Sequence, residues 1–323
     1  MLFQTFSVMI YIVLNIYYMR LYYMHANYQF DPNFQIFLNF NGGDRTWNNL
    51  MLFACLSTAN TSRHEVSYRY WVNEATDLGY EVLFVADKPN PVHNIKILLP
   101  NKELYKYARQ GVSFGDIDRG VKRITSAEYF IRNTTAGWLW IASDDVYIKN
   151  DRIPKMIKDL NTKYNTENEN IVLGDCVECN EYRAFLQGGI GYILSRAAAR
   201  KFIEYGPTWM KLINWCDDRD FNHFLNYIGL PRSKSAMPWG IGHVFVQKSY
   251  ENFPNVSDCN PNYYQGGCGR GLYNVADLVG VHYSQDSVSE QYANRVFEWG
   301  DKNQDLYWYP DGKANPYLCR LKK

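Results

Sequence analysis

The chain has 323 residues, 46% of them hydrophobic and 21% charged, with a formal net charge of +1 at pH 7. That apolar content excludes wholesale disorder, and the near-zero charge removes the electrostatic case for nucleic acid as a partner. The length suits one large domain or two small ones.

Leu2 to Met19 is almost continuously apolar and aromatic, about 18 residues and just long enough to cross a bilayer. Tyr17, Tyr18, Tyr22 and Tyr23 gather at its end, as an interfacial belt does. No clear small-x-small cleavage site follows, so a signal anchor and membrane flank over residues 1–23 is preferred to a cleaved signal peptide. Arg20 follows the segment and no Lys or Arg precedes it, which runs against the simple positive-inside pattern. Three glycosylation triplets, at Asn60, Asn133 and Asn255, favour a lumenal body instead. The expected organisation is an anchor, a stem over residues 24–47 and a folded domain over 48–323.

Met51–Ser57 reads as the first core strand, and Arg63–Ala75 as a helix carrying Tyr70 and Trp71 inward. Glu81–Asp87 and Asn94–Pro100 are the next strands. Ile117, Val121, Ile124, Ala127 and Ile131 fall at helical spacing, with Lys122, Arg123 and Arg132 on other faces. That helix runs into WLWIASDDVYI (Trp138–Ile148), an apolar strand that stops at Asp144 and Asp145. Adjacent carboxylates repel unless a cation lies between them. A divalent metal holding a diphosphate accounts for them; an acidic turn after a core strand is the plainer reading. Strand, helix, strand is the crossover unit of a parallel sheet.

A helix follows Lys155, and Ile171–Gly174 is a short strand. QGGIGYILSR (Gln187–Arg196) holds a glycine turn, and Ser195 caps a helix over Ala197–Tyr205 that Gly206-Pro207 ends. Cys216–Gly229 forms a helix with Asp217 and Asp218 in its first turn and Phe221, Phe224, Leu225 and Ile228 as its apolar stripe. Leu278–Tyr283 is a late strand carrying His282. Each feature has an ordinary structural reading: a tight turn, a helix cap, a core histidine. Of the seven cysteines, Cys259 and Cys268 flank a Gly- and Asn-rich loop that a disulfide can close. Cys176 and Cys179 lack the partners a zinc site needs, and Cys55 reads as a buried free thiol.

Taken in order, these motifs resemble the inverting β1,3-glycosyltransferases that include fringe and the core 1 β1,3-galactosyltransferase. The likeness spans Met51 to Tyr283. It rests on the strand with its acidic end, the GGIGY turn with a serine-capped helix, the Cys216-Asp217-Asp218 acids, VGVHYSQ, and Tyr70-Trp71 on the first helix. It departs from the family at Ser143, where an acid is usual, and at Ile190, where Ala is usual and a larger side chain narrows the acceptor cleft. The resemblance implies an α/β, GT-A-like fold: a Rossmann-like mixed sheet flanked by helices, behind an N-terminal membrane anchor. It implies a Golgi or ER type II membrane protein with a lumenal catalytic domain, a homodimer being left open.

The implied reaction is metal-dependent, inverting hexosyl transfer from a UDP-sugar to a glycan or glycoprotein hydroxyl, with β1,3-galactosyl transfer to O-linked GalNAc preferred. Asp145 and His282 are the expected ligands of Mn2+. Asp144, Gly188, Gly189 and Trp71 are assigned to the donor. Asp218 is the expected base, with Asp217 as the alternative. Fringe-like N-acetylglucosaminyl transfer to O-fucose stays open, as does a catalytically silent chaperone or sugar-binding relative.

Overall fold

The computed structural model describes residues 48–58, 61–89, 95–179, 182–214, 217–230, 239–241, 257–259, 273–282, 287–310 and 316–320, all within one compact unit, Asp44–Lys323. The expected anchor and stem, the triplet asparagines Asn60 and Asn255, Cys216, Cys268 and Tyr283 lie outside the described residues. Among the described residues no helix is long and apolar enough to cross a membrane.

In chain order, β1 (Asn48–Leu56) leads into α1 (Thr61–Ser67), a π-helical turn (Tyr68–Val72) and α2 (Asn73–Asp77). Then come β2 (Glu81–Val85), β3 (Lys96–Leu98), α3 (Phe114–Asn133), β4 (Ala136–Ser143) and β5 (Val146–Ile148). These are followed by α4 (Ile153–Lys163), β6 (Val172–Gly174), β7 (Cys176–Cys179), β8 (Tyr182–Leu186), β9 (Tyr192–Ser195), α5 (Arg196–Glu204), α6 (Gly206–Leu212) and α7 (Asp217–Tyr227). The chain goes on through β10 (Gly240–Ile241), β11 (Ser257–Asp258), β12 (Tyr273–Asn274), β13 (Gly280–His282), α8 (Ser287–Lys302), β14 (Leu306–Pro310) and β15 (Pro316–Arg320).

The α/β expectation holds in its general form. The main sheet has six strands in the order β3-β2-β1-β4-β9-β6. Its β3, β2, β1 and β4 are parallel, while β9 is antiparallel to both β4 and β6, so the sheet is mixed. β1 and β4 are buried on both faces, which is why their sequences are nearly continuous apolar runs. Strand alternation sends Met51, Phe53, Cys55, Trp138 and Trp140 to one face, in a cluster with Trp71 and with Met156, Ile157 and Leu160 of α4. α3 and α5 pack together, α3 against β1 and β4 and α5 against β4 and β9.

The two acids end β4 and turn the chain out of this sheet. The Asp144 amide donates to the Leu56 carbonyl at 3.1 Å, so the pair sits just past the carboxyl ends of β1 and β4. Beyond it, β5 joins a second sheet of order β10-β13-β5. There β13 runs antiparallel to β5 with His282 opposite Val146. That register sets His282 beside the acidic turn although more than a hundred residues separate them in sequence.

Several local expectations change. The run Trp138–Ile148 is two strands of different sheets with the acids between them. Gly206-Pro207 opens α6 rather than only ending α5, since proline is suited to a first helical turn. Ser195 does cap α5, its hydroxyl accepting from the Ala198 amide at 3.1 Å. Cys259 is bonded to Cys319, not to Cys268. β11 pairs in parallel with β15, placing Ser257 across from Cys319, and the sheet register rather than the loop selects the partner. Cys55 is a buried free thiol.

Candidate active site

A cleft of about 530 Å³ opens at the carboxyl edge of the main sheet, the place where open α/β sheets bind ligands. The loop after β1 brings Ser57 and Thr58, and α1 brings Arg63; α3 brings Asp118, Arg119, Lys122 and Arg123. The acidic turn, the glycine turn and the start of α7 close the walls with Ser143, Asp144, Asp145, Gly188, Gly189, Asp217 and Asp218, and β13 adds His282.

At one wall Asp145 Oδ1 lies 3.1 Å from His282 Nε2. The Ser143 hydroxyl also donates to Asp145 Oδ1. Burial pushes the Asp145 carboxyl up, but the hydrogen bond and charge of His282, with Ser143 and Arg63, outweigh it and hold the carboxyl below its ordinary pKa. Asp144 faces a different set. One oxygen accepts from Ser57 Oγ at 2.5 Å and the other from Arg63 Nη1 at 3.0 Å. Burial nevertheless raises its pKa, against those two partners. Ser57 Oγ in turn meets His64 Nε2 at 2.6 Å, and burial lowers the pKa of that imidazole. The adjacent acids therefore divide their work: Asp145 pairs with His282, and Asp144 is fixed by Ser57 and Arg63.

At the other wall Asp217 and Asp218 share the Arg123 guanidinium. Arg123 Nη1 donates to Asp217 and Nη2 donates to Asp218 Oδ1 at 2.9 Å. Arg119 Nε donates to Asp217 Oδ1 at 3.0 Å. The Gly188 amide donates to Asp218 Oδ2 at 2.9 Å. Burial raises Asp217, but Arg123 and Arg119 override it and leave the carboxyl below its usual range. Asp218 is raised by burial and by the charge of Asp217, which together exceed the pull of Arg123 and of the Gly188 amide. The side chain of Asp218 is 25% exposed and that of Asp217 only 7%. Asp218 is thus the carboxylate that both reaches the cleft and holds a proton more readily.

The glycine turn joins the two walls. A Cβ on Gly188 would lie 1.9 Å from Asp218 Oδ1, and one on Gly189 would lie 2.4 Å from the His282 ring. Two neighbouring residues therefore touch the two acidic sets, and side chains there would push both apart. Gly191 has φ of +87° and packs a missing Cβ against the Ile141 carbonyl, a backbone state that favours glycine. Trp140 Nε1 donates to the Ile190 carbonyl at 2.8 Å and ties the turn to β4.

Seven of the eight expected site residues meet in this cleft: Asp144, Asp145, Gly188, Gly189, Asp217, Asp218 and His282. Trp71 does not. Its ring is 1% exposed and packs edge-on against Phe53 in the core, because the helix that carries it turns that face to the sheet. Ile190 is also buried in the core rather than facing the cleft, so it fills the space under the turn instead of narrowing an acceptor site. Arg63, Arg119 and Arg123 are functional candidates that sequence reading missed. For Arg119 and Arg123 the signal was charge within an apolar helical period; Lys122 and Arg123 were placed only on faces other than the apolar one, and both are buried.

No family model matches the sequence, and no curated protein matches it either. Two solved structures are similar in their chain trace. One is a glycosyltransferase involved in the glycosylation of the major capsid of PBCV-1, at 13% identity and a TM-score of 0.36, covering 76% of this chain and 98% of that one. The other is the galactosyltransferase LgtC in complex with donor and acceptor sugar analogues, at 10% identity and a TM-score of 0.44, covering 78% of this chain and 95% of that one. Likeness of this degree fixes neither the fold family nor the reaction.

Proposed function

We propose that this protein is a GT-A-like glycosyltransferase. In this reading it transfers a hexose from a UDP-sugar to a hydroxyl of a glycan or glycoprotein with inversion, and galactose to the 3-hydroxyl of O-linked GalNAc is the preferred case. It works as a lumenal domain behind a membrane anchor. The observation that carries the reading is the convergence of three distant segments on one cleft: Asp145 and His282 at one wall, Asp217 and Asp218 at the other.

The donor set fits a cation that arrives with its substrate. Among the described residues no group of three or more His, Cys, Asp and Glu side chains is placed to hold a metal. One carboxylate, Asp145, and one imidazole, His282, leave the other positions to phosphate oxygens and water, a ligand set suited to Mn2+. When bound, such an ion stabilises the negative charge that collects on the departing diphosphate. Arg63 holds Asp144 and lines the same wall.

Asp218 takes the proton of the acceptor hydroxyl. As that O–H bond breaks, the oxygen attacks the anomeric carbon from the face opposite the diphosphate. The new C–O bond forms, the bond from carbon to the phosphate oxygen breaks, and its electron pair leaves with UDP. The raised pKa of Asp218 supports this role, since an ordinary carboxylate holds a proton weakly at neutral pH. The low-lying Asp217 does not suit it.

Ser143 favours one competing reading, a catalytically silent relative that binds sugar without turning it over, because it leaves two acids, Asp144 and Asp145, where the resembled family has three. UDP release from a panel of UDP-sugars, with and without Mn2+, separates the two. The transferase reading expects Mn2+-dependent UDP release that is fastest with UDP-galactose and is lost in Asp218→Asn. UDP binding without turnover of any donor supports the silent relative, and absence of UDP binding removes both. Fastest turnover of UDP-N-acetylglucosamine supports the fringe-like alternative.

A further inference from the structure

The pair Asp217-Asp218 presents a choice that sequence leaves open, and Arg123 resolves it. Its side chain is 2% exposed, and its guanidinium lies 5.3 Å from the centre of the Tyr192 ring and 5.7 Å from that of Phe221. A buried guanidinium has one rigid fork, and both of its terminal nitrogens are committed, one to each carboxylate. Asp217 is bound a second time by Arg119, so it is a fixed counter-ion between two cations. Asp218 is held differently. Its Oδ1 accepts from Arg123 and lies 3.3 Å from the Tyr192 hydroxyl, while its Oδ2 accepts from the Gly188 amide. An ionised carboxylate has about four acceptor positions. Among the described residues three are filled, and the fourth, on Oδ2, belongs to a side chain that lines the cleft.

We propose that Arg123 is a positioning residue: it pins Asp217 as a permanent counter-ion and aims Asp218, with Oδ2 toward the acceptor, so that only Asp218 takes the proton. This rests on the reading of Asp218 as the base. The absence of a side chain at Gly188 is part of the device, since a Cβ there would lie 2.6 Å from Arg123 Nη2 and 1.9 Å from Asp218 Oδ1. The charged and titrating groups around Asp218 are Asp217 on its own helix, Arg123 and Arg119 on α3, and Tyr192 on β9. Of these, Asp217 raises the Asp218 carboxyl, and Arg123 and Arg119 lower it.

The test measures kcat, donor KM and the acid limb of the pH–rate profile in the full chain, with UDP-galactose and an α-GalNAc glycoside as probes. Arg123→Gln should lower kcat about 10-fold or more with little change in donor KM, and should move the acid limb to higher pH. Arg123→Lys should restore part of the rate and return the limb towards the wild-type position. Asp217→Asn removes the charge that raises Asp218, so the transfer it retains should show its acid limb at lower pH. This variant decides the matter if Arg123→Gln does not fold. Acid limbs that stay at the wild-type position in both Arg123→Gln and Asp217→Asn, or in Asp217→Asn alone when Arg123→Gln is not recovered, overturn the positioning role. Full transfer by Asp218→Asn would instead overturn the base itself, a separate failure.

Discussion

Two buried arginines bear on α3, Arg196 at its carboxyl end and Arg123 on its own middle turn, and their partners differ. Near the amino end of β4, Arg196 donates to the backbone carbonyls of Ala136 at 2.8 Å, Ile131 at 3.2 Å and Thr134 at 3.3 Å, and pairs with Glu167. It closes the last turn of α3 against the start of β4, where helix carbonyls lack partners. In the cleft, Arg123 meets two carboxylates. Three of the partners of Arg196 are carbonyls, which do not titrate, and its one carboxylate, Glu167, does not line the cleft, so the first arrangement is a fastening. Carboxylates do, so the second can move a proton. Similar buried cations thus serve stability at the end of the helix and chemistry at its middle, and the difference lies in whether the carboxylates they face line the cleft.

Asp218→Asn breaks the contrast hardest. Transfer should fall by about 10²- to 10⁴-fold in kcat. The melting temperature should not drop, and the sign follows from the raised pKa. A carboxyl held above its unfolded value contributes stability below that value and loses it as pH rises, so at neutral pH the charge is a cost that Asn removes. At the metal wall, Asp145→Ala or His282→Ala should abolish Mn2+-dependent UDP binding in calorimetry, and unchanged heats would remove them from the site. Arg196→Met is the reverse case. It should cost about 2–3 kcal/mol of stability in a urea titration, with the rate per folded molecule unaltered.

The glycine turn sharpens the comparison within five residues. Gly188→Ala sets a methyl against Asp218 and should lower kcat while the fold survives, because the displaced groups are side chains. Gly191→Ala meets the Ile141 carbonyl at a positive φ and should cost roughly 2 kcal/mol or more in thermal unfolding. The smallest effect is on pH. Asp218 must be ionised to act, and its pKa is raised, so the acid limb of kcat should lie above the ordinary aspartate value of about 3.9. A limb at or below that value would contradict its assignment.

The strands, the acidic turn, the glycine turn and the capped helices were legible in the sequence, because hydrophobic period and cap chemistry act over a few residues. β1, β4, α3, α5 and α7 all form where alternation, helical spacing or Ser195 and the acids of α7 place them. The order of those motifs also pointed to a single site before any contact was known. Trp71 points inward as its helix predicts, but it serves the core and not the donor, because an aromatic residue on an amphipathic helix looks the same whether it faces a sheet or a ligand. Arg123 was passed over, because charge on a helix reads as solvated until a neighbouring helix covers it.

What the chain settles by itself is local: which segments pleat, which coil, and that acids and glycines punctuate them. Tertiary structure decided the rest. The antiparallel register of β13 on β5 carried His282 to Asp145, the pairing of β11 with β15 chose Cys319 for Cys259, and the packing of α7 on α3 gave one arginine to two acids. Each of these joins residues far apart in sequence. Their encounter depends on sheet register and helix packing, which no short window of sequence contains.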